Sequence, residues 1–252
     1  MKQQQKRRIW LIGATSGIGY QLAQDMAKAG HQVIISGRNR DKLDELQAGD
    51  PEHLFPLPLD VTRFDAVQAA GQVIQNTFGG LDTVFYNSGN CIYVDVTDFQ
   101  HGDFETVFQV NFMGLVYAIE VSLPLLRQGR QPYLVGMSSS AAFVGLPRAE
   151  AYGASKAAVH YLMDALRVDL AGEGLDVSTV FPGFVKTPLT DLNDFAMPFL
   201  IDVQQASRFI LKGMEKRDHN IHFPKRFTFF LKLLGNLPSS WKTKLVQRTS
   251  RS

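Results

Sequence analysis

The chain has 252 residues, of which 45% are hydrophobic and 20% are charged, which is enough to bury a sizeable core in one or two domains. Its single cysteine, Cys91, excludes a disulfide framework and a thiolate metal cage. No run of about 18 apolar residues is present, and the basic N-terminus precedes only a short apolar stretch, so we expect neither a membrane span nor a signal peptide. These features predict a soluble, cytoplasmic protein.

The net charge of +2 conceals an uneven distribution along the chain. Residues 219–252 carry seven Lys and Arg but no Asp or Glu, which leaves 19 basic and 24 acidic residues in 1–218. The positive charge of residues 219–252, next to a mildly acidic segment over 1–218, indicates a separate role for the C-terminal segment. Because the segment over 1–218 is acidic, we do not expect the protein to bind nucleic acid.

Apolar, β-rich runs alternate with helical periodicity along the chain. Strands are predicted over 8–12, 32–36, 54–59, 81–87, 132–138, 175–181 and 220–223, and helices over 17–29, 41–47, 63–78, 104–126, 152–170 and 203–216. Several strands are apolar throughout, which is typical of strands covered on both faces. The order predicts one α/β domain over 1–223, a doubly wound, parallel, Rossmann-like sheet that binds ligands beyond the carboxyl ends of its strands.

The turn between the first strand and the first helix is rich in glycine. Glycines let this backbone turn tightly and approach a pyrophosphate, which the N–H groups of the first helical turn then bind. No Lys-Ser/Thr follows the last glycine, which excludes an ATP-type phosphate loop. The turn predicts a dinucleotide site, with these cofactor-binding residues: Gly13, Thr15, Ser16, Gly17, Ile18 and Gly19.

The residues after the second predicted strand indicate which dinucleotide is bound. An acid at this place accepts from the ribose 2′-hydroxyl of NAD, whereas an arginine accommodates the 2′-phosphate of NADP. The chain reads Ser36-Gly37-Arg38-Asn39-Arg40, without an acid. Because the guanidinium of Arg38 suits a phosphate, we predict NADP(H) as the cofactor.

A tyrosine and a lysine lie one helical turn apart at the start of the predicted helix over 152–170. Tyr152 and Lys156 share a face of that helix. A free phenol, with a pKa of about 10, is a weak acid–base catalyst at neutral pH. A cation about 4 Å away lowers that pKa by about three units at an effective dielectric near 20. The pair predicts a tyrosine poised for proton transfer.

Together with the glycine turn, these motifs resemble the short-chain dehydrogenase/reductase family, in its short single-domain branch, over residues 7–223. Ser139, 13 residues before Tyr152, matches the catalytic serine of the family, and Asn111 matches the helix asparagine. Leu59-Asp60-Val61-Thr62, Asn87-Ser88-Gly89 and the segment from Pro182 to Thr187 match further family segments. The resemblance implies these additional cofactor contacts: Asp60, Val61, Asn87, Gly89, Tyr152, Lys156, Pro182, Val185 and Thr187.

The resemblance also implies a mechanism, in which hydride passes between NADPH and a carbonyl or secondary alcohol. Tyr152 donates or accepts the proton, and Lys156 lowers its pKa and binds the nicotinamide ribose. Ser139 hydrogen-bonds the developing oxyanion, and Asn111 anchors a water that relays protons. The family further implies a homodimer or homotetramer built on the long helices over 104–126 and 152–170.

Three local features qualify the match. Ile12 stands where the family usually has threonine, and Tyr86 stands where it usually has asparagine. Because their strands are neighbours, we expect an apolar contact in place of a polar one, which affects cofactor affinity and subfamily. Ser138 and Ser140 flank Ser139, and only the spacing to Tyr152 selects Ser139.

The loops at the carboxyl edge are expected to set specificity. Residues 91–94, 142–144 and 192–201 are apolar and aromatic with few charges, which predicts a pocket for a hydrophobic or lipid-like substrate. The six histidines are scattered, so we expect no metal site. The prediction is an NADPH-dependent carbonyl reductase or alcohol dehydrogenase. The alternatives are a 3-oxoacyl-carrier-protein reductase, which the C-terminal extension disfavours, and a non-catalytic NADP-binding sensor or scaffold, which the complete catalytic set disfavours.

Residues 224–252 form a basic extension beyond the last predicted strand. Phe227, Phe230, Leu231 and Leu234 have helical spacing, and Ser239 is expected to cap a second helix that carries Trp241. One interpretation is a helical pair that packs on the protein or across a dimer. The other is a peripheral contact of 225–252 with an anionic membrane surface.

Overall fold

The computed structural model describes residues 6–249, apart from the side chains of Leu192, Arg248 and Thr249. Residues 1–5 of the predicted domain and residues 250–252 of the predicted extension lie outside this part of the chain. The described residues form one parallel sheet of seven strands: β1 (Arg8–Ile12), β2 (Gln32–Ser36), β3 (Leu54–Pro56), β4 (Thr83–Tyr86), β5 (Tyr133–Met137), β6 (Asp176–Pro182) and β7 (Asn220–Phe223). The strand order is β3-β2-β1-β4-β5-β6-β7, which confirms the predicted doubly wound sheet.

Helices cover both faces of this sheet. They are α1 (Gly17–Lys28), α2 (Arg40–Gly49), α3 (Phe64–Phe78), α4 (His101–Phe108), α5 (Gly114–Arg127), α6 (Glu150–Leu170), α7 (Val203–Glu215), α8 (Lys225–Gly235) and α9 (Ser239–Thr249). On one face, α1, α2 and α7 enclose a core with β1 and β2. On the other face, α3, α5 and α6 enclose a second core. This double cover explains why the strands are apolar throughout.

The chain reverses its winding between β1 and β4. β1 pairs with β2 on one side and with β4 on the other, so Ile12 lies opposite Ser36 and Tyr86. At such a switch point the crossovers diverge and leave a crevice beyond the carboxyl ends of the strands. The turns that follow β1, β4, β5 and β6 therefore converge on one place.

The long helix predicted over 104–126 is interrupted in the structure. α4 and α5 are joined by a π-helical turn over Gln109–Met113, which contains Asn111. The hydroxyl of Tyr86 donates to the carbonyl of Val110 in this turn, at 2.5 Å. Gly114 follows, and a Cβ at this position would lie 2.3 Å from that hydroxyl. The hydroxyl of Tyr86 therefore makes a polar contact with this turn, while its side chain shares an apolar core with Ile12, as expected from their neighbouring strands.

β3 is shorter than predicted and ends at Pro56 rather than at residue 59. Pro56 and Pro58 lack the N–H that a sheet ladder needs, which limits this edge strand. α9 begins at Ser239 itself, because the carbonyl of Pro238 accepts from the N–H groups of Trp241 and Lys242. Ser239 is thus the first helical residue and not the cap.

By length and composition, the helix over His101–Arg127, with a mean hydropathy of 1.4, is sufficient to cross a membrane. Core helices of water-soluble folds meet the same criterion. This helix packs through α5 against α3 and contributes Leu115 and Ala118 to the core beneath the sheet. These contacts are those of a core helix.

Candidate active site

The glycine turn after β1 has the backbone that its residues predict. Gly13 and Gly17 have φ of 94° and 54°, in the left-handed region that favours glycine. A Cβ on Gly19 would lie 2.0 Å from the carbonyl oxygen of Gly13. The amide of Asn87 donates to the same oxygen, at 2.7 Å. The turn is therefore closed tightly against the end of β4.

The N-terminus of α1 lies at the edge of the crevice. Ser16 is the N-cap, and its side chain makes no hydrogen bond to the first helical turn. Ser16, Gly17 and Ile18 all line the cleft. The N–H groups of an uncapped first turn, together with the helix dipole, suit an anion. This donor set fits the pyrophosphate of a dinucleotide.

We expect Gly19→Ala to abolish dinucleotide binding and to lower the free energy of unfolding by about 1–3 kcal/mol, because the methyl group would overlap the carbonyl of Gly13 and the amide of Asn87. Gly102→Ala, in α4, is the matched control, since no atom lies within 4 Å of the added Cβ. It is expected to leave binding unchanged and stability equal or higher. Fluorescence titration with NADPH and urea denaturation measure both effects. Equal affinities in the two variants would contradict this role for Gly19.

A cleft at the carboxyl edge of the sheet brings most of the predicted residues together. It is lined by residues from the glycine turn, from the ends of β4, β5 and β6, and from α6. The predicted residues that line it are Ser16, Gly17, Ile18, Asn87, Gly89, Ser139, Tyr152, Lys156, Pro182, Val185 and Thr187. The predicted residues that do not line it are Gly13, Thr15, Gly19, Arg38, Asp60, Val61 and Asn111.

The cleft is also lined by residues that were not among the predicted site residues. They are Met137, Ser138, Gly183, Pro188, Leu189 and Thr190. The hydroxyl of Thr190 donates to the carbonyl of Val185 at 2.7 Å and accepts from the N–H of Thr187 at 2.9 Å. Thr190 therefore fixes the segment after β6.

Gly183 links this segment to the C-terminal extension. A Cβ at Gly183 would lie 2.8 Å from the ring of Phe227, on α8. The N–H of Gly183 donates to the carbonyl of Phe223 at 2.7 Å. The backbone after β6 is thus packed directly on the first turn of α8.

Tyr152 lies near the start of α6 and lines the cleft. Burial raises the pKa of Tyr152 to about 12, while the side chain of Ser139 acts in the opposite direction. The expected lowering of this pKa by Lys156 is absent from the structure. The ammonium of Lys156 lies 5.8 Å from the ring centroid of Tyr152 and donates to the carbonyl of Met137 at 2.9 Å. Tyr152 is therefore protonated at neutral pH.

Lys156 is buried between two stretches of backbone. Burial lowers the pKa of Lys156 to about 8, and the neighbouring thiol of Cys91 acts against this fall. A Cβ at Gly89 would lie 3.2 Å from the Lys156 ammonium. Glycine at position 89 therefore leaves the room that the lysine occupies beside the carbonyl of Met137.

The three adjacent serines after β5 have different surroundings. The hydroxyl of Ser138 donates to the carbonyl of Lys156 at 2.7 Å and so ties β5 to α6. The hydroxyl of Ser139 accepts from the N–H of Ala141 at 3.1 Å. It also hydrogen-bonds to Tyr152, which lowers the pKa of that phenol. Ser140 begins the 3₁₀ turn over Ser140–Phe143. The structure places Ser139, rather than its neighbours, beside the tyrosine.

Asn111 lies beneath the cleft and connects two of its walls. Its side-chain oxygen accepts from the N–H of Asn90 at 2.8 Å, and its amide donates to the carbonyl of Asn90 at 3.0 Å. The amide also donates to the hydroxyl of Ser155 at 2.9 Å, and that hydroxyl donates to the carbonyl of Tyr152 at 2.7 Å. Asn111 therefore fixes the segment after β4 relative to the helix that carries Tyr152.

Arg38 and Asp60 lie outside the central cleft, beyond the ends of β2 and β3. Arg38 is exposed and makes no ion pair or side-chain hydrogen bond to any residue within 6–249. Asp60 accepts from the N–H of Thr62 at 3.0 Å, and this bond lowers the pKa of Asp60, with a smaller contribution from the charge of Arg38. The Arg38 guanidinium is thus available to an anion.

The remaining two predicted cofactor residues act through packing in this structure. The side chain of Thr15 lies over Gly37, where a Cβ would be 2.6 Å from its methyl group. Val61 lies against the first residue of α5, since a Cβ on Gly114 would be 3.1 Å from its side chain. Both residues therefore support the walls around the site.

The loop over 193–200 is attached to the opposite side of the cleft mouth. The hydroxyl of Tyr93 hydrogen-bonds to the side chain of Asn193. Arg148 pairs with Asp194 at 2.8 Å, and its guanidinium lies 4.9 Å from the ring centroid of Tyr93. These contacts hold the loop against the segments that precede α4 and α6.

Aromatic rings continue from this loop to the C-terminal extension. Tyr93 contacts Phe195, which contacts Phe184, and Phe184 contacts Phe227 of α8, with centroid distances of 6.0, 5.9 and 5.5 Å. Phe199 also contacts Phe227. These ring contacts therefore join the loop over 193–200 to α8. No group of three or more potential metal ligands occurs among the described residues.

Comparisons with known proteins agree with this architecture. A family model described as short chain dehydrogenase matches residues 7–195. An oxidoreductase from Myxococcus xanthus is 34% identical over 243 residues, which covers 95% of this chain and 96% of that protein. An oxidoreductase from Staphylococcus aureus is 33% identical over 210 residues, which covers 83% of this chain and 91% of that protein.

Solved structures have the same fold. A short-chain dehydrogenase from Streptomyces avermitilis superposes with a TM-score of 0.84 at 22% identity, covering 98% of each chain. A short-chain dehydrogenase/reductase from Burkholderia phymatum, in complex with NAD, gives 0.82 at 23% identity over 92% of this chain and 94% of that one. RhlG from Pseudomonas aeruginosa, in a complex with NADP, gives 0.69 at 27% identity over 73% and 75% of the two chains.

The family match covers well over half of the chain. The relative from Myxococcus xanthus extends the likeness over almost the whole length of both proteins. Together with the glycine turn and the cleft that it lines, these matches show that the chain is an oxidoreductase of the short-chain dehydrogenase family.

Proposed function

We propose that this protein transfers hydride between NADPH and the carbonyl, or the corresponding secondary alcohol, of a hydrophobic substrate. One observation carries the proposal. Ser139, Tyr152 and Lys156 line the same cleft as the first turn of α1. A proton donor, a hydrogen-bond donor and a cation therefore lie together beside a site with the donors for a pyrophosphate.

The nicotinamide, when bound, supplies or accepts the hydride. The first turn of α1 would hold the pyrophosphate, and Lys156 would hold the ribose beside the nicotinamide. The segment from Pro182 to Thr187, which Thr190 fixes, would hold the nicotinamide. The first turn of α1, Lys156 and this segment all line the same cleft.

Proton transfer is the work of Tyr152. Its phenol is protonated at neutral pH, which is the state that donates to a carbonyl oxygen. Ser139 accepts from the N–H of Ala141, so its own hydroxyl hydrogen is left to donate to the same oxygen as negative charge develops there. Asn111 keeps this constellation in place through Ser155.

A panel of ketones graded in chain length and ring number, with a 3-oxoacyl thioester included, tests this proposal. Purified protein is mixed with NADPH and each carbonyl, and the loss of NADPH absorbance is recorded. We expect turnover that rises with apolar size, because the loops expected to set specificity, 91–94, 142–144 and 192–201, are apolar and aromatic with few charges. NADPH binding without turnover of any carbonyl would instead support the non-catalytic sensor or scaffold.

The preference for NADPH rests on Arg38. One solved neighbour is complexed with NAD and another with NADP, so family membership does not decide the cofactor. We expect wild-type protein to have a higher kcat/KM with NADPH than with NADH. Arg38→Ala is expected to lower kcat/KM for NADPH by about 10- to 100-fold, the effect of losing one charge-assisted contact, and to leave NADH unaffected.

Arg40→Ala is the matched control for this measurement. Arg40 is also an exposed arginine near the end of β2, but it pairs with Asp44 at 3.8 Å. Its replacement is expected to change neither cofactor's kcat/KM. A wild-type preference for NADH would refute the assignment of Arg38.

A further inference from the structure

α8 has apolar side chains on two opposite faces. Phe227, Leu231 and Leu234 are buried and form a small core with Val144 and Val246. The sequence expectation that the extension packs on the protein is met by this inner face. The rest of the helix is not explained by that packing.

The outer face of α8 consists of Phe229, Phe230 and Leu233, which are 67%, 56% and 56% exposed. Three large apolar side chains lie next to one another on this helical surface, because positions i, i+1 and i+4 fall on one side. Contiguous exposed apolar patches on a monomer mark interaction sites rather than ordinary surface. This outer face therefore needs a partner.

The inner contacts prevent α8 from rotating to bury its outer face. A Cβ at Gly235 would lie 2.0 Å from the carbonyl oxygen of Phe143, so the end of the helix is in close contact with the 3₁₀ turn. The ammonium of Lys232 lies 4.9 Å from the ring centroid of Phe143. Exposure of the outer face is thus a consequence of how the inner face is docked.

Cations accompany the outer face. Lys225 and Arg226 are exposed, and at about 100° per residue they fall in the same arc of about 140° as the three apolar side chains. Residues 219–252 contain no Asp or Glu, so no acidic side chain of this segment offsets them. The chemistry of this face is that of an amphipathic helix that meets apolar chains and anionic groups together.

α9 repeats the pattern. Trp241 is 66% exposed, and Lys244 is exposed beside it, while Val246 is buried in the small core with α8. Tryptophan is the residue that prefers the interface between water and lipid, since its ring is apolar and its N–H is polar. A second helix thus presents an aromatic side chain and a cation to solvent.

The exposed surface continues to the mouth of the cleft. Phe199 contacts Phe227 at the base of α8, and Phe195, Phe199 and Leu200 are themselves exposed. These loop residues therefore do not form a closed, packed lid. They lie between Ile201, which pairs with the cleft residue Val185, and Phe227 on the inner face of α8.

We propose that the outer face of α8, together with Trp241, binds the surface of an anionic lipid bilayer and places the mouth of the cleft against it. The apolar side chains enter the boundary between headgroups and acyl chains, and Lys225 and Arg226 lie among the anionic headgroups. A hydrophobic substrate then reaches the cleft from the bilayer. Binding of the bilayer needs neither cofactor nor turnover, so it is tested independently of the reductase activity.

Sedimentation of the full-length protein with vesicles tests the proposal. We expect binding to vesicles of phosphatidylcholine with phosphatidylglycerol, no binding to phosphatidylcholine alone, and weaker binding at high salt. Lys225→Gln with Arg226→Gln is expected to lower the affinity about five-fold for each charge removed. Phe229→Ser with Phe230→Ser and Leu233→Ser is expected to lower it at least about ten-fold. Val73→Ser with Val96→Ser removes exposed apolar side chains elsewhere and is expected to change nothing.

Tryptophan fluorescence gives a second readout at the proposed contact. The chain has two tryptophans, and Trp10 is fully buried in the core. A blue shift on addition of anionic vesicles therefore reports Trp241 and is expected to disappear in Trp241→Phe. Circular dichroism of each variant checks that it is folded. If the variant with three serines fails to fold, the variant with two glutamines still tests the proposal, because it keeps every apolar side chain.

Two outcomes would overturn this assignment. One is the absence of sedimentation with anionic vesicles, or equal sedimentation of wild type and the folded variants. The other is a wild-type dimer that the triple variant converts to a monomer, measured by light scattering, without any binding of vesicles. That result would show that a second copy of the chain covers the outer face.

Discussion

Tyr152→Phe is expected to lower kcat by about 10²- to 10⁴-fold, the contribution of a positioned general acid. The change removes one oxygen from the cleft and leaves the ring in place. Dinucleotide binding is expected to stay near the wild-type value, because the glycine turn, the first turn of α1 and Lys156 are unchanged. A loss confined to kcat distinguishes a proton donor from a residue that only shapes the pocket.

The measurement combines steady-state turnover with fluorescence titration of NADPH. Tyr161→Phe is the matched control, since Tyr161 lies on the same helix and is 80% exposed. It is expected to be indistinguishable from wild type. If Tyr152→Phe kept wild-type turnover, Tyr152 would have no part in the chemistry, and the proposed function would lose its proton donor.

Lys156→Met is expected to abolish turnover and at the same time to stabilise the fold at pH 7. Burial lowers the pKa of Lys156 from 10.5 to about 8, which corresponds to a cost of about 3 kcal/mol for the charged form in the folded protein. Methionine fills a similar volume without a charge. Because the hydrogen bond to the carbonyl of Met137 is also lost, we expect a net gain of about 2 kcal/mol.

The dependence of this gain on pH identifies its cause. Between pH 8 and 10.5 the unfolded chain keeps a proton on Lys156 that the folded protein has lost, so wild-type stability rises with pH in this window relative to the variant. The advantage of Lys156→Met is therefore largest below pH 8 and disappears by about pH 10.5. Urea denaturation at several pH values measures it, with exposed Lys216→Met as control. A difference that is constant with pH would point to packing rather than to a buried charge.

Most of the fold could be predicted from the sequence because its signals are local. Apolar strands alternate with helical periodicity, and the glycine turn lies where the first strand meets the first helix. The interruption of the long helix at Gln109–Met113 could not be predicted in this way. It depends on the hydroxyl of Tyr86, which reaches the turn from a strand far away in the sequence.

In the candidate site, too, local spacing could be predicted and the contacts of individual side chains could not. The helical spacing placed Lys156 near Tyr152, and the family resemblance placed Ser139 there. Spacing did not determine the direction of the lysine side chain, which turns to the carbonyl of Met137. For this reason the sequence predicts which residues lie in the cleft but not the 5.8 Å between the Lys156 ammonium and the ring centroid of Tyr152. Thr190, which holds the segment after β6, was missed because its partners are backbone groups that the sequence does not distinguish.

The contact between Gly183 and Phe227 gives the extension a second role. Because the backbone after β6 is seated on α8, removal of residues from 225 onward would take away the support beneath the segment proposed to hold the nicotinamide. Truncated protein would then bind dinucleotides poorly for a mechanical reason, whatever its behaviour toward lipid. Single side-chain replacements on the outer face leave that support intact. A displacement of α8 would move the ring of Phe227 and therefore the backbone at Gly183, which it contacts.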